Sequence, residues 1–160
     1  TPPMILRPGA VTREMLEELI GEVAVDQTLL KADSRTAPKA PGMKYRHYAP
    51  KANLVVVEGE VEKVTAWIRE TAATKQQKGK RVGIIATEET KESYPDGDVK
   101  VAGTRADEAT IASSLYGILR EFDGDGVDEI YSEAFASGGI GAAVMNRLLK
   151  AAGHQVIRIT

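Results

Sequence analysis

Between residues 53 and 159 the chain alternates short apolar, β-branched runs with stretches of helical periodicity, and this alternation narrows the choice of fold most. Residues 53–57, 81–86, 99–102, 128–132 and 155–159 read as strands. Residues 60–75 carry Val61, Val64, Ile68 and Ala72 on one helical face. A T-x-x-D cap at residues 104–107 opens a second helix with Ile111, Leu115, Ile118, Leu119 and Phe122 at helical spacing. Gly124-Asp125-Gly126 then turns the chain. A glycine-started helix over 138–152 ends at Gly153. Strands joined by helices pair in parallel, so the expectation is an α/β, doubly wound, mostly parallel sheet of about five strands.

Prolines mark where this body begins. Six of the seven (Pro2, Pro3, Pro8, Pro38, Pro41 and Pro50) precede residue 51, and only Pro95 follows. Proline neither donates to a ladder nor sits inside a helix, so the first third reads as an extended arm. It begins with a cut-off strand, Met4-Ile5-Leu6-Arg7, and holds one short helix. Thr12 caps that helix, Met15, Leu16, Leu19 and Ile20 form its stripe, and Gly21 stops it. From about Asp26 to Pro50 there is no periodicity, and a run of that length is usually functional or disordered. Charge changes at the same place. Residues 31–51 hold six cations against Asp33, leaving −7 on the rest of a chain whose total is −2. The divisions are therefore 1–25, 26–51 and 52–160.

Composition excludes several classes. The absence of cysteine removes disulfides, thiolate zinc sites and a cysteine nucleophile. No apolar run approaches 18 residues, so no membrane helix is expected. A balanced charge gives no strong signal for direct nucleic-acid binding.

The densest chemistry is Lys44-Tyr45-Arg46-His47-Tyr48-Ala49-Pro50. Its phenols can stack on a base, its arginine can grip phosphate with a planar fork, and its histidine can donate near neutral pH. The same residues would equally serve as a solvated basic linker. Arg7 precedes a turn and either binds an anion or is a surface arginine. Ser137-Gly138-Gly139-Ile140-Gly141 opens a helix after a strand, where backbone N–H groups can meet an anion. Gly139, Gly141, Asn146 and Arg147 form that candidate anion site, against the alternative of tight packing and capping. The dinucleotide fingerprint is not met, because Val144 stands where the last small residue belongs. His154 reads as a turn residue. Glu88, Glu89, Glu92, Asp96 and Asp98 read as a solvated loop, and their spacing matches no metal cage. Trp67 lies off its helix's main stripe, at a core edge or interface.

Three stretches carry a resemblance. Ile5-Leu6-Arg7-Pro8-Gly9-Ala10-Val11-Thr12, the run Pro41-Gly42-Met43 with the cluster after it, and Gly139-Ile140-Gly141-Ala142-Ala143-Val144-Met145-Asn146-Arg147-Leu148 resemble, in order and spacing, two-domain threonylcarbamoyl-AMP synthases of the YrdC-like type. The resemblance implies a Rossmann-like, three-layer accessory domain behind a linker, with the catalytic domain absent. It implies ATP as a substrate of the full enzyme together with threonine and bicarbonate, leaves a magnesium ion open there, and gives no metal for this chain. Arg7 would approach the ATP phosphates, and Tyr45, Arg46, His47 and Tyr48 would cover the nucleotide. The implied partners are the protein's own catalytic domain and other proteins of tRNA threonylcarbamoylation, in the cytoplasm. The arm is expected to be loosely held, or packed on a neighbouring chain, because its cleft belongs to the absent domain. The chain alone is expected to be inactive. Two other roles stay open for the body: a regulatory nucleotide- or anion-binding module, or a protein-interaction module.

Overall fold

Four consecutive buried residues, Leu54 to Val57, make β3 (Asn53–Glu58) a strand with apolar neighbours on both faces. That is the pattern of a parallel sheet covered on each side. The computed structural model describes residues 2–26, 49–135 and 138–160. In it β4 (Val82–Ala86), β5 (Asp98–Val101), β6 (Glu129–Glu133) and β7 (Val156–Arg158) join β3 in a five-stranded sheet of order β5-β4-β6-β3-β7. Every pairing is parallel, as the alternation of elements requires.

Side-chain alternation along the strands divides the core in two. Leu54, Val56, Ile85 and Ile130 face α3 (Glu108–Asp125) and α4 (Gly139–Ala151), meeting Ile111, Leu115, Phe122, Val144 and Leu148. Val55, Val57, Val82, Ile84 and Tyr131 face α2 (Val61–Gln77), meeting Val64, Ile68 and Ala72. The three layers are those of a Rossmann-like α/β body. Trp67 packs at the margin of the second cluster, edge-on to Tyr131 with ring centroids 5.8 Å apart.

The helix boundaries differ from the sequence reading at one informative place. Thr104 does not cap α3; Asp107 does, accepting from the Ala109 backbone N–H at 3.2 Å. Thr104 instead hydrogen-bonds Glu89, in a loop that shapes the sheet edge. The helix also runs through Gly124 and Asp125 before Gly126, in the left-handed region at φ +67, ends it. A glycine tolerated near a helix end and a glycine required at its C-cap look alike in sequence.

The arm supplies β1 (Met4–Ile5), α1 (Arg13–Ile20) and β2 (Ala24–Val25), with β1 and β2 paired in parallel. Thr12 caps α1, accepting from the Met15 N–H at 3.3 Å, and Gly21 closes it. No residue of α1 is buried, and Met15, Leu19 and Ile20 keep half or more of their surface. No helix among the described residues is long and apolar enough to cross a membrane.

Candidate functional site

In open parallel sheets the loops at the carboxyl ends of the strands surround the ligand crevice. Here those loops are tied together. Glu133 ends β6 with a fully buried side chain. Thr90 and Tyr94, from the β4–β5 connection, donate to its Oε2 at 2.6 and 3.0 Å. Arg105, from the β5–α3 connection, meets its Oε1 at 2.9 Å. The same guanidinium donates to the Ala134 carbonyl at 3.1 Å and lies 5.2 Å from the centre of the Phe135 ring. Its Nε is buried and has no partner among the described residues. Burial first, and the Glu133 carboxylate second, push the Tyr94 phenol far up, so it remains a donor. Beside this knot the Thr104 hydroxyl and the Arg105 backbone N–H hold Glu89 ionised, with a pKa lowered to about 2.

The N-terminus of α4 is also engaged. Gly138 caps the helix without a side-chain acceptor, so its first N–H groups need partners. Glu108 of α3 takes the Gly141 N–H at 2.7 Å. Glu14 of the arm lies alongside: a Cβ at Gly138 would stand 3.9 Å from its carboxylate. Its own backbone N–H, then the Thr12 hydroxyl and more weakly the Gly139 N–H, hold the Glu14 carboxyl below its usual range. Two carboxylates from separate elements thus meet the positive end of the helix. Replacing Glu108 by glutamine removes a charge-assisted bond at that end. Urea unfolding is expected to show a loss of about 1 kcal/mol.

Between arm and body opens a cavity of about 960 Å³. Ile5, Val11 and Val25 line it from the arm, and Phe135, Met145 and Val156 from the body. Its polar lining includes Asn146 and His154.

These positions sort the residues singled out from sequence. Gly139 and Asn146 line the cavity, and Asn146 is buried. Gly141 is turned toward Glu108. Arg147 is exposed on the α3 side, within 5.5 Å of the Tyr116 ring and 3.5 Å of the Ala112 carbonyl. Arg7 follows β1 and is exposed. Tyr45, Arg46, His47 and Tyr48 lie outside the described residues. The acidic loop is held within the protein's own network: Glu88 pairs with Lys91 at 2.7 Å, and Asp98 lies near Lys100 at 3.7 Å. Among the described residues no group of three acidic or histidine side chains could hold a metal. Sequence reasoning missed Glu133, Arg105, Thr90 and Tyr94. They lie up to 43 residues apart, and only the strand order brings them together.

Comparison with known proteins places this architecture. A family model described as the threonylcarbamoyl-AMP synthase C-terminal domain matches residues 11–153. The threonylcarbamoyl-AMP synthase of Bacillus subtilis is 47% identical over 156 residues, covering 98% of this chain and 43% of that protein. Its counterpart in Pyrococcus abyssi is 43% identical over 158 residues, covering 99% of this chain and 44% of that protein. The crystal structure of P. abyssi Sua5 complexed with L-threonine superposes with a TM-score of 0.85 at 40% identity, covering 99% of this chain and 45% of that one. A C-terminal Sua5 domain from Pyrococcus horikoshii, matched over its whole length, covers 69% of this chain with a TM-score of 0.56 at 34% identity. The chain thus spans less than half the length of the curated relatives it matches. It belongs to the threonylcarbamoyl-AMP synthase family and carries the C-terminal domain of that family.

Proposed function

We propose that this chain serves as the linker and accessory domain of an L-threonylcarbamoyladenylate synthase. That enzyme would join threonine, bicarbonate and ATP into threonylcarbamoyl-AMP and release pyrophosphate. The adenylate would supply modification of tRNA position 37 in the cytoplasm, together with other proteins of that pathway. The observation that carries this reading is the match of 99% of the chain, arm and body alike, to a Sua5 protein complexed with L-threonine.

The chemistry fits. A carbamoyl–phosphate anhydride hydrolyses readily, so an enzyme that makes it gains from a segment that excludes water. The cationic and phenolic cluster Tyr45, Arg46, His47 and Tyr48 suits that task on a nucleotide, and Arg7 suits its phosphates. A magnesium ion accompanying ATP would belong to the catalytic domain. The body's part is to present the arm: its helix α4 meets Glu14 of α1, joining the two units.

In the full-length protein, Tyr45→Ala or Arg46→Ala is expected to lower turnover at least about tenfold, which is about 1.4 kcal/mol of transition-state stabilisation. The melting temperature should not move. The measurement is threonine-dependent release of pyrophosphate from ATP. The 160-residue chain by itself is expected to release none. Unchanged turnover in both variants would remove the linker from the reaction.

The body alone is a poorer candidate for a nucleotide site. The Gly141 N–H of α4, where a phosphate would sit, already meets Glu108, and the neighbouring loops are fastened to Glu133.

A further inference from the structure

Asn146 lies in α4 and keeps only 9% of its surface. It lines the cavity between arm and body, so that remnant opens there. Its carboxamide makes no hydrogen bond among the described residues. A buried amide has two donors and an acceptor to satisfy, and leaving them unmet is costly. A leucine, branched in the same way, would fill the position without that cost. Native proteins leave few such groups unmet, so each one calls for a reason.

The rest of the lining gives that reason a shape. Ile5 and Val25 of the arm and Phe135, Met145 and Leu149 of the body are apolar. The charged lining residues balance, Arg13 and Arg158 against Glu14 and Glu58. Arg13 pairs with Glu17 at 2.7 Å and Arg158 with Glu58 at 2.9 Å, while Glu14 lies beside the start of α4. His154 adds no charge near neutral pH, because burial and then the charge of Lys150 lower its pKa. An ion entering this space would find no unpaired countercharge in the lining. What the lining offers is apolar surface and one amide that can donate and accept side by side.

We propose that the cavity binds a small uncharged molecule with a hydrogen-bond donor beside an acceptor on a planar edge, and that Asn146 reads this edge. Carboxamides and nucleobases share that chemistry, and both can pair with an asparagine side chain through two hydrogen bonds. The Phe135 ring and the Met145 thioether supply polarizable surface for the remainder of such a molecule. At about 960 Å³ the cavity lies at the upper end of the range for small-molecule pockets. The site is separate from the synthase reading, since none of Arg7, Tyr45, Arg46, His47 and Tyr48 takes part.

The test is titration of the 160-residue chain with benzamide and with uridine, two uncharged probes that carry such an edge. Saturable binding of at least one is expected. Tighter benzamide assigns the site to carboxamides, and tighter uridine to nucleobases. Benzoate, which has the shape of benzamide and a full charge, should bind at least about tenfold more weakly than benzamide. Asn146→Leu should weaken the bound probe at least about tenfold. A second readout needs no variant. Of the described methionines, Met4, Met15 and Met145, only Met145 lines the cavity, so its methyl NMR signal should move with the probe and theirs should not. A third separates binding from structure: the melting temperature of Asn146→Leu should hold or rise, because the leucine strands no polar group. The proposal is overturned if neither uncharged probe binds, if benzoate binds as tightly as benzamide, or if the variant binds like the parent. A fall in melting temperature beyond about 5 °C would also overturn it, since the amide would then be part of the protein's own structure. The synthase reading would survive each of these results, because it is judged by pyrophosphate release from the full-length protein.

Discussion

Replacing Arg105 by methionine should lower the stability of the chain by about 3–5 kcal/mol, the cost of leaving a buried charge without its partner. Glu133 is the group left behind. Its side chain is fully buried, and its Oε2 keeps the donors Thr90 and Tyr94. Those two neutral donors satisfy its lone pairs but supply no countercharge. The Arg105 side chain retains 29% of its surface, so water can reach the vacated position and the loss should fall toward the lower figure. Urea unfolding followed by circular dichroism measures it. Combining Arg105→Met with Glu133→Gln should recover a large part of the loss, because the amide carries no charge to strand. A single-variant loss below about 1 kcal/mol, the size of an exposed pair, would mean that the pair is no more than a surface contact.

The second large effect is expected at Phe122→Ala, about 3–5 kcal/mol. Phe122 is fully buried and its ring lies over Gly83 in β4: a Cβ on Gly83 would stand 2.5 Å from Cε1 and 2.8 Å from Cδ1. Truncation therefore opens a cavity whose floor is bare backbone, with no side chain there to relax into it. The cost of such a change grows with the cavity that remains. Gly83→Ala in the native background should itself destabilise by about 1–3 kcal/mol through overpacking. In the Phe122→Ala background the same methyl should be neutral or stabilising. That reversal of sign, read from a double-mutant cycle of unfolding free energies, separates packing at this point from any general effect of glycine replacement. Additive losses would contradict it.

These two sites also show what a sequence can and cannot disclose. Phe122 was legible, because helical spacing with Ile111, Leu115 and Ile118 announces the buried face of α3. The five strands and their parallel pairing were legible for the same reason, since period and connection length are local properties. The Thr12 cap and Gly21 stop of α1 follow from local rules as well. Arg105 and Glu133 were not legible. Glutamate at the end of a strand is ordinarily a surface residue, and only a sheet that sets β6 beside β4 places it among Thr90, Tyr94 and Arg105. Asp107 took the cap from Thr104 because Thr104 had a better partner in Glu89, another long-range fact. The two-residue strand β2 is too short for any periodicity. Tyr45 to Tyr48 were prominent by composition alone, and their placement lies outside the described residues.

The strand order bears on how the chain assembles. The first strand of the body, β3, takes as neighbours β6 and β7, its pairings joining Asn53 to Glu129 and Val56 to Val156. Both neighbours come from the last third of the body. As the chain is made from its N-terminus, Leu54 to Val57 find no lateral partner until more than seventy residues have followed, and no second one until the final few. Contacts of such long separation slow folding and leave an apolar strand open to wrong pairings meanwhile. A chain stopped after Gly153 would hold four strands with one side of β3 unpaired, an edge that invites association with other chains. The last seven residues, unremarkable in composition, thus close the sheet and protect its oldest strand.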